Sequence, residues 1–236
     1  MPYGYWGYYY DPTYLLVLIA AILSILASAR VNTTFQKYNR VPSRSGMTGA
    51  QAAERLLHSN GIYDVSIEHV RGTLTDHYDP RTKTVRLSDS TYHATSVAAI
   101  GVAAHECGHV LQHHQEYVPL KLRTMLVPAA NLGSRAGVPL ILLGIILGYN
   151  NLLIQIGIWV FALAVLFQIV TLPVEYNASK RALRLLQSQG ILTETETGQS
   201  GKVLQAAALT YVAAAANAVL QLLRLILLTG NGRRRD

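Results

Sequence analysis

Apolar residues gather in three blocks along the chain, and a long stretch of mixed polarity separates the first from the second. The first block, residues 13–29 (TYLLVLIAAILSILASA), carries no charge and just reaches the length needed to cross a hydrocarbon core. The second lies between Val138 and Pro173, and the pair Asn150-Asn151 interrupts it as a turn signal. Two spans joined by a tight hairpin are the simplest prediction. The first of them must begin near Val127 to be long enough, which takes in Asn131, Ser134 and Arg135. Arg135 would then snorkel or face a protein interior. The third block, Val203 to Leu228, includes Gln205, Asn217, Gln221 and Arg224. With polar residues recurring, it can span, lie in the interface or pack as an amphipathic helix.

From Arg30 to about Met125 the pattern changes to that of a soluble segment. Thr48 is placed to cap an amphipathic helix, GAQAAERLLHS, and Gly61 to end it. Residues 62–70 can hold a short strand, GTLTDHYDP is turn-rich, and TKTVRL (82–87) alternates weakly, as an edge strand would. From about Ser96 the spacing is helical and Ala-rich, through SVAAIGVAAHECGHVLQHH.

Composition supports the membrane reading. Half of the 236 residues are hydrophobic and 14% are charged, against about 25% charged in soluble domains. Mean hydropathy is +0.23, which also excludes disorder. A single cysteine excludes an internal disulfide framework and an all-Cys zinc site. The net charge of +7 is a topology signal, because Arg30, Lys37, Arg40 and Arg44 follow the first block while no Lys or Arg precedes it. The positive-inside rule puts the N-terminus outside and residue 30 onward in the cytoplasm of a multi-pass membrane protein. The aromatic run MPYGYWGYYY suits the outer interface. Ala27-Ser28-Ala29 resembles a signal-peptidase site, but the basic n-region of a signal peptide is missing. Lys180, Arg181 and Arg184 read as cytoplasmic. Lys202 and Arg233–Arg235 flank the third block on both sides, so a clean fourth span conflicts with the rule. Charge placed beside spans, and not on one soluble face, counts against nucleic acid as a partner.

The chemistry lies in His105-Glu106-Cys107-Gly108-His109. Residues i and i+4 share a helix face, so both imidazoles can bind one Zn²⁺, with Glu106 positioned as general base. The apolar flanks matter, because two histidines and a glutamate in a buried helix need partners. Zinc hydrolysis requires a third ligand. His113, His114, Glu116, His93, Asp76, His77, Asp79 and Glu175 are the candidates. Gln112 and Gln115 stand where the metzincin pattern needs Gly and His, which excludes that class. Glu175, just past Pro173 at the start of what reads as a cytoplasmic helix, is the better candidate. A helix-terminal glutamate that favours the macrodipole is the alternative. In DHYDP, His77 and Asp79 fit a turn as well as a place near the site.

The blocks SGMTGAQAAERLL, LTDHYDPRTKTVRLSDSTYHATSVAAIGVAAHECGHVLQH, FQIVTLPVEYNASKRA and AALTYVAAA resemble the YugP-type neutral zinc metallopeptidases of bacterial membranes. The wider layout is similar to the HtpX and CAAX prenyl protease group. This resemblance implies a mainly α membrane protein with zincin-like (gluzincin) catalytic helices, a small β element, an anchor, a central transmembrane hairpin and a C-terminal apolar helix. It implies residues 1–29 as N-terminal region and anchor, 30–126 as the cytoplasmic part, 127–173 as the hairpin, 174–202 as the helix with the third ligand, and 203–236 as the C-terminal helix and basic tail. It also implies one Zn²⁺ held by His105, His109 and Glu175.

The wider group usually has Asp two residues after that glutamate, where this chain has Asn177, whose amide oxygen can still accept a hydrogen bond. The implied function is peptide-bond hydrolysis at the cytoplasmic face, on membrane or misfolded proteins. A catalytically silent quality-control adaptor is the alternative. Tyr78, His93 and Arg181 are candidate oxyanion donors, the 82–87 strand could align substrate by strand addition, and Cys107 packs.

Overall fold

A computed structural model of the chain describes residues 11–232. The aromatic N-terminal run and the Arg233–Arg235 tail lie outside the described residues. Among the described residues the order is α1 (Tyr14–Asn39), α2 (Gly49–Ser59), β1 (Ser66–Val70), β2 (His77–Asp79), β3 (Thr84–Ser88), α3 (Val97–His114), α4 (Val118–Ile146), α5 (Asn151–Ser188) and α6 (Glu194–Gly232). Four of these helices, α1, α4, α5 and α6, are long and apolar enough to cross a membrane.

Capping sets where several of them start. Thr48 and Gln51 form the reciprocal box before α2. Ser96 Oγ accepts from Ala99 N at 3.1 Å to open α3. Thr193 and Glu196 form the equivalent pair at α6, with Glu196 Oε2 accepting from Thr193 N at 2.8 Å.

The α3 helix is the core of the soluble part. Val97, Ala98, Ile100, Ala103, Ala104 and Cys107 are fully buried, against α2, the sheet, α5 and α6. Two glycines let it come close. A Cβ at Gly101 would stand 2.0 Å from Ser200 Oγ on α6, and one at Gly108 would stand 2.5 Å from Ala178 O on α5. The α4–α5 pair uses the same device: a Cβ at Gly137 would meet Phe161, and one at Gly157 would meet Ile141 and the Gly137 carbonyl. Small residues at such a seam let backbones pack where lipid supplies no hydrophobic drive.

Four expectations are corrected. First, the 82–87 segment is not an edge strand. The sheet order is β1-β3-β2, with β1 parallel and β2 antiparallel to β3, so β3 is central. Its polar residues tolerate burial because Thr84 Oγ1 meets Ser66 Oγ at 3.1 Å and Ser88 Oγ donates to Asp76 at 2.9 Å. Second, the turn-rich DHYDP contains strand β2, which is one of the two edges. Third, no new helix begins after Pro173. The α5 helix runs through it unbroken, because Val174 and Ala178 are fully buried against α3 and hold the backbone in place. Fourth, α4 starts at Val118, ahead of Val127, and carries Pro128 and Pro139 inside it. Arg135 is exposed on its outer face and does not point into the protein.

The third apolar block belongs to α6, which packs antiparallel to α1. Arg224, late in α6, lies 3.6 Å from Asp11 and 4.6 Å from the Tyr14 ring. At the other end Glu196 Oε1 accepts from Arg44 N at 2.7 Å.

Candidate metal centre

Helix geometry brings His105 and His109 to one face of α3, with their Nε2 atoms 3.2 Å apart. The close pass at Gly108 brings α5 against that face. Glu175 Oε2 then stands 3.3 Å from His105 Nε2 and 3.5 Å from His109 Nε2. Among the described residues this is the one group of three metal-ligating side chains that converges.

The supporting contacts decide which atoms face inward. Gln112 Nε2 donates to the Val174 carbonyl at 2.8 Å and to Asn177 Oδ1 at 3.0 Å, which turns Gln112 Oε1 toward His109 Nδ1, 3.0 Å away. Nδ1 of His109 is therefore the donor, and its Nε2 keeps the lone pair. His105 Nδ1 meets Ser179 Oγ at 3.1 Å, a contact that orients the ring with its Nε2 toward Glu175. Arg123 Nη1 lies 3.4 Å from Glu175 Oε1. Glu175 Oε2 is buried and has no hydrogen-bond partner.

Two imidazole nitrogens and a carboxylate oxygen thus face one point, an arrangement that a cation satisfies. Ligands about 2.05 Å from a tetrahedral zinc stand about 3.3 Å apart, which matches the three separations. Burial alone would push the His109 imidazole down, but the adjacent Glu175 carboxylate and the charge of Glu106 outweigh it and raise it. The pocket favours positive charge.

Glu106 is buried beside the first ligand and lines two cavities, one of about 200 Å³ and one of about 450 Å³. His105, Glu175 and Tyr211 line both as well. Cys107 faces away: its thiol donates to the Ala53 carbonyl at 3.6 Å, and burial pushes its pKa far up.

A model of the family described as "putative neutral zinc metallopeptidase" matches residues 13–230. The chain belongs to this zinc metallopeptidase family. It is also similar to the "putative membrane protease YugP" of Bacillus subtilis (strain 168), 48% identical over 221 residues that cover 93% of this chain and 98% of that protein. No solved structure matches the chain. Membership implies zinc, and the His105, His109 and Glu175 geometry fits that ion.

The other residues singled out in the sequence fall in different places. Asn177 and Arg181 adjoin the His105–His109–Glu175 cluster through Gln112: Arg181 Nε donates to Asn177 Oδ1 at 2.6 Å and a second guanidinium nitrogen donates to Gln115. Tyr78 lines the larger cavity and packs edge-on to His113. Burial, followed by Asp64 and Asp79, raises its phenol. His77 and His113 line the same cavity. His93 packs on His69 and Tyr92 and lines a separate hollow beside α2. Asp76 is engaged by Ser88, and Asp79 by Arg86 at 3.3 Å. His114 and Glu116 are exposed. Sequence reading did not single out Ser179, Arg123 and Tyr211, and it used Gln112 only to exclude the metzincin pattern. A signal for Gln112 was present, one helical turn after His109.

Proposed function

We propose that this protein is a membrane-embedded zinc endopeptidase of the gluzincin type, cleaving membrane or misfolded polypeptides at the cytoplasmic face. The observation that carries the reading is the convergence of His105 Nε2, His109 Nε2 and the orphaned Glu175 Oε2 beside the buried carboxylate of Glu106. The orientation rests on the cluster Arg30, Lys37, Arg40 and Arg44 in and just after the C-terminal part of α1.

His105, His109 and Glu175 would hold the zinc. When bound, that ion acidifies water and polarises a carbonyl. Glu106 takes a proton from the attacking water onto its carboxylate and passes it to the leaving amine. Tyr211 is assigned the phenolic hydrogen bond to the scissile carbonyl oxygen as charge builds there, since it lines both cavities next to Glu106 and Glu175. Gln112, backed by Asn177, keeps His109 in the ligating tautomer, and Ser179 orients His105. Arg123 holds the far oxygen of Glu175. The free edge of β2, with His77 and Tyr78 facing the larger cavity, is the assigned docking edge for an extended substrate.

The test is purification in detergent, metal analysis, and cleavage of an unfolded membrane-protein substrate by wild type and Glu106→Gln. Wild type should contain about one zinc per chain and cleave. The variant should keep the zinc and lose cleavage by about 10²-fold or more. Zinc bound without any Glu106-dependent cleavage would favour the silent adaptor instead.

A further inference from the structure

The two cavities that meet at the metal ligands differ in chemistry, and the difference selects a substrate. The smaller is walled by Val31 of α1, Val102 of α3 and Leu204, Ala207 and Ala208 of α6. Its polar members outside the catalytic set already have partners. Asp76 accepts from Ser88 N and Oγ at 2.8 and 2.9 Å, Ser179 is paired with His105, and Thr210 Oγ1 donates to Ala207 O at 2.7 Å. Apart from Asp76 and the Ser179 hydroxyl, the walls outside the catalytic set offer a side chain mostly alkyl surface. Against that surface a polar group would lose its water with little replacement, whereas an apolar one gains.

The larger cavity has the opposite character at its rim. Arg81 and Arg123 both line it. Among the described residues Arg81 has no carboxylate partner for its guanidinium, and Arg123 has only Glu175. Arg123 meets Glu175 through one Nη1 contact, and its guanidinium has further N–H donors for a second carboxylate. The acids facing this cavity are Asp76, Glu106 and Glu175, each with a hydrogen-bonding, catalytic or ligating role.

We propose that the enzyme selects sequences with a bulky apolar residue on one side of the scissile bond, in the α1–α3–α6 chamber, and a carboxylate on the other, held by Arg123 and Arg81. The inference rests on the peptidase reading above. Arg123 and Arg81 are specificity-determining residues in it, and Ala208 sets the size of the apolar chamber.

The experiment measures both binding and cleavage. Fluorescent peptides that differ only at the two flanking positions are bound to zinc-loaded Glu106→Gln protein in detergent, followed by anisotropy, and are offered to wild type for cleavage. Changing the acidic residue to its amide should weaken binding about tenfold, the worth of one charge-assisted hydrogen bond. Changing it to Lys should weaken binding further. The acid-over-amide ratio should fall toward one in Arg123→Gln combined with Arg81→Gln, with the apolar preference kept. Ala208→Leu should do the reverse, turning the preference from bulky apolar residues to Ala or Gly while the acid preference stays. Equal binding of acid and amide, or a chamber preference that Ala208→Leu does not move, overturns the inference even if Glu106-dependent cleavage is intact. Preferences that appear in binding while wild type cleaves nothing would support the inference and overturn the peptidase reading.

Discussion

His105 Nε2 and Glu175 Oε2 stand 3.3 Å apart although α4 and the first part of α5 intervene between them in the chain. The metal site therefore exists only if the hairpin folds back and α5 continues through Pro173. Glu175→Gln retains size and hydrogen-bonding capacity but removes the charge that balances the cation. Zinc affinity should drop by more than the roughly 100-fold that loss of an orienting partner costs, measured by metal content after dialysis against a chelator. Retained zinc would mean that another residue is the third ligand.

Gly108 controls the distance between those two helices. In Gly108→Ala the new methyl would stand 2.5 Å from the Ala178 carbonyl and 3.1 Å from its Cα, both backbone atoms that cannot swing aside. The expected cost is about 1–3 kcal/mol of stability, seen as a lower thermal midpoint, with reduced zinc occupancy as the helices part. Gly198→Ala is the control. It has open space around its Cβ position and should be neutral or stabilising by about 0.5–1 kcal/mol.

Gln112 links His109 to α5 by three hydrogen bonds. Gln112→Met keeps the volume and removes all three, so zinc affinity should fall about 10- to 100-fold with secondary structure unchanged by circular dichroism. Asn177→Asp still accepts from Gln112 and Arg181 and should bind zinc as tightly as wild type. A loss there would show that the amide nitrogen of Asn177 has a role of its own.

The antiparallel pairing of α1 and α6 puts Asp11 and Arg224 at one end. Single cysteines at Asp11 and Thr229, in a Cys107→Ser background, should react with a membrane-impermeant maleimide from the same side of sealed vesicles. Labelling from opposite sides would contradict the pairing. The native Cys107 should stay unlabelled until the protein is denatured, because it is fully buried and its thiolate is disfavoured.

Much was legible in the chain itself because it rests on local rules. The i, i+4 histidines share a helix face whatever surrounds them. Thr48 and Ser96 open helices with their own side chains, and an uncharged run such as 13–29 is apolar enough for lipid regardless of its neighbours. The sheet was misread because weak alternation in 82–87 looks like an edge strand until Ser66 and Asp76 arrive to satisfy Thr84 and Ser88. Pro173 looks like a boundary until burial of Val174 and Ala178 holds the helix through it. The convergence of Glu175 on the two histidines, the contacts that orient the imidazoles and the two unlike cavities could come only from the tertiary structure. Each depends on α5 and α6 approaching α3 at Gly108 and Gly101, and such close contacts between distant segments leave no periodic trace in sequence.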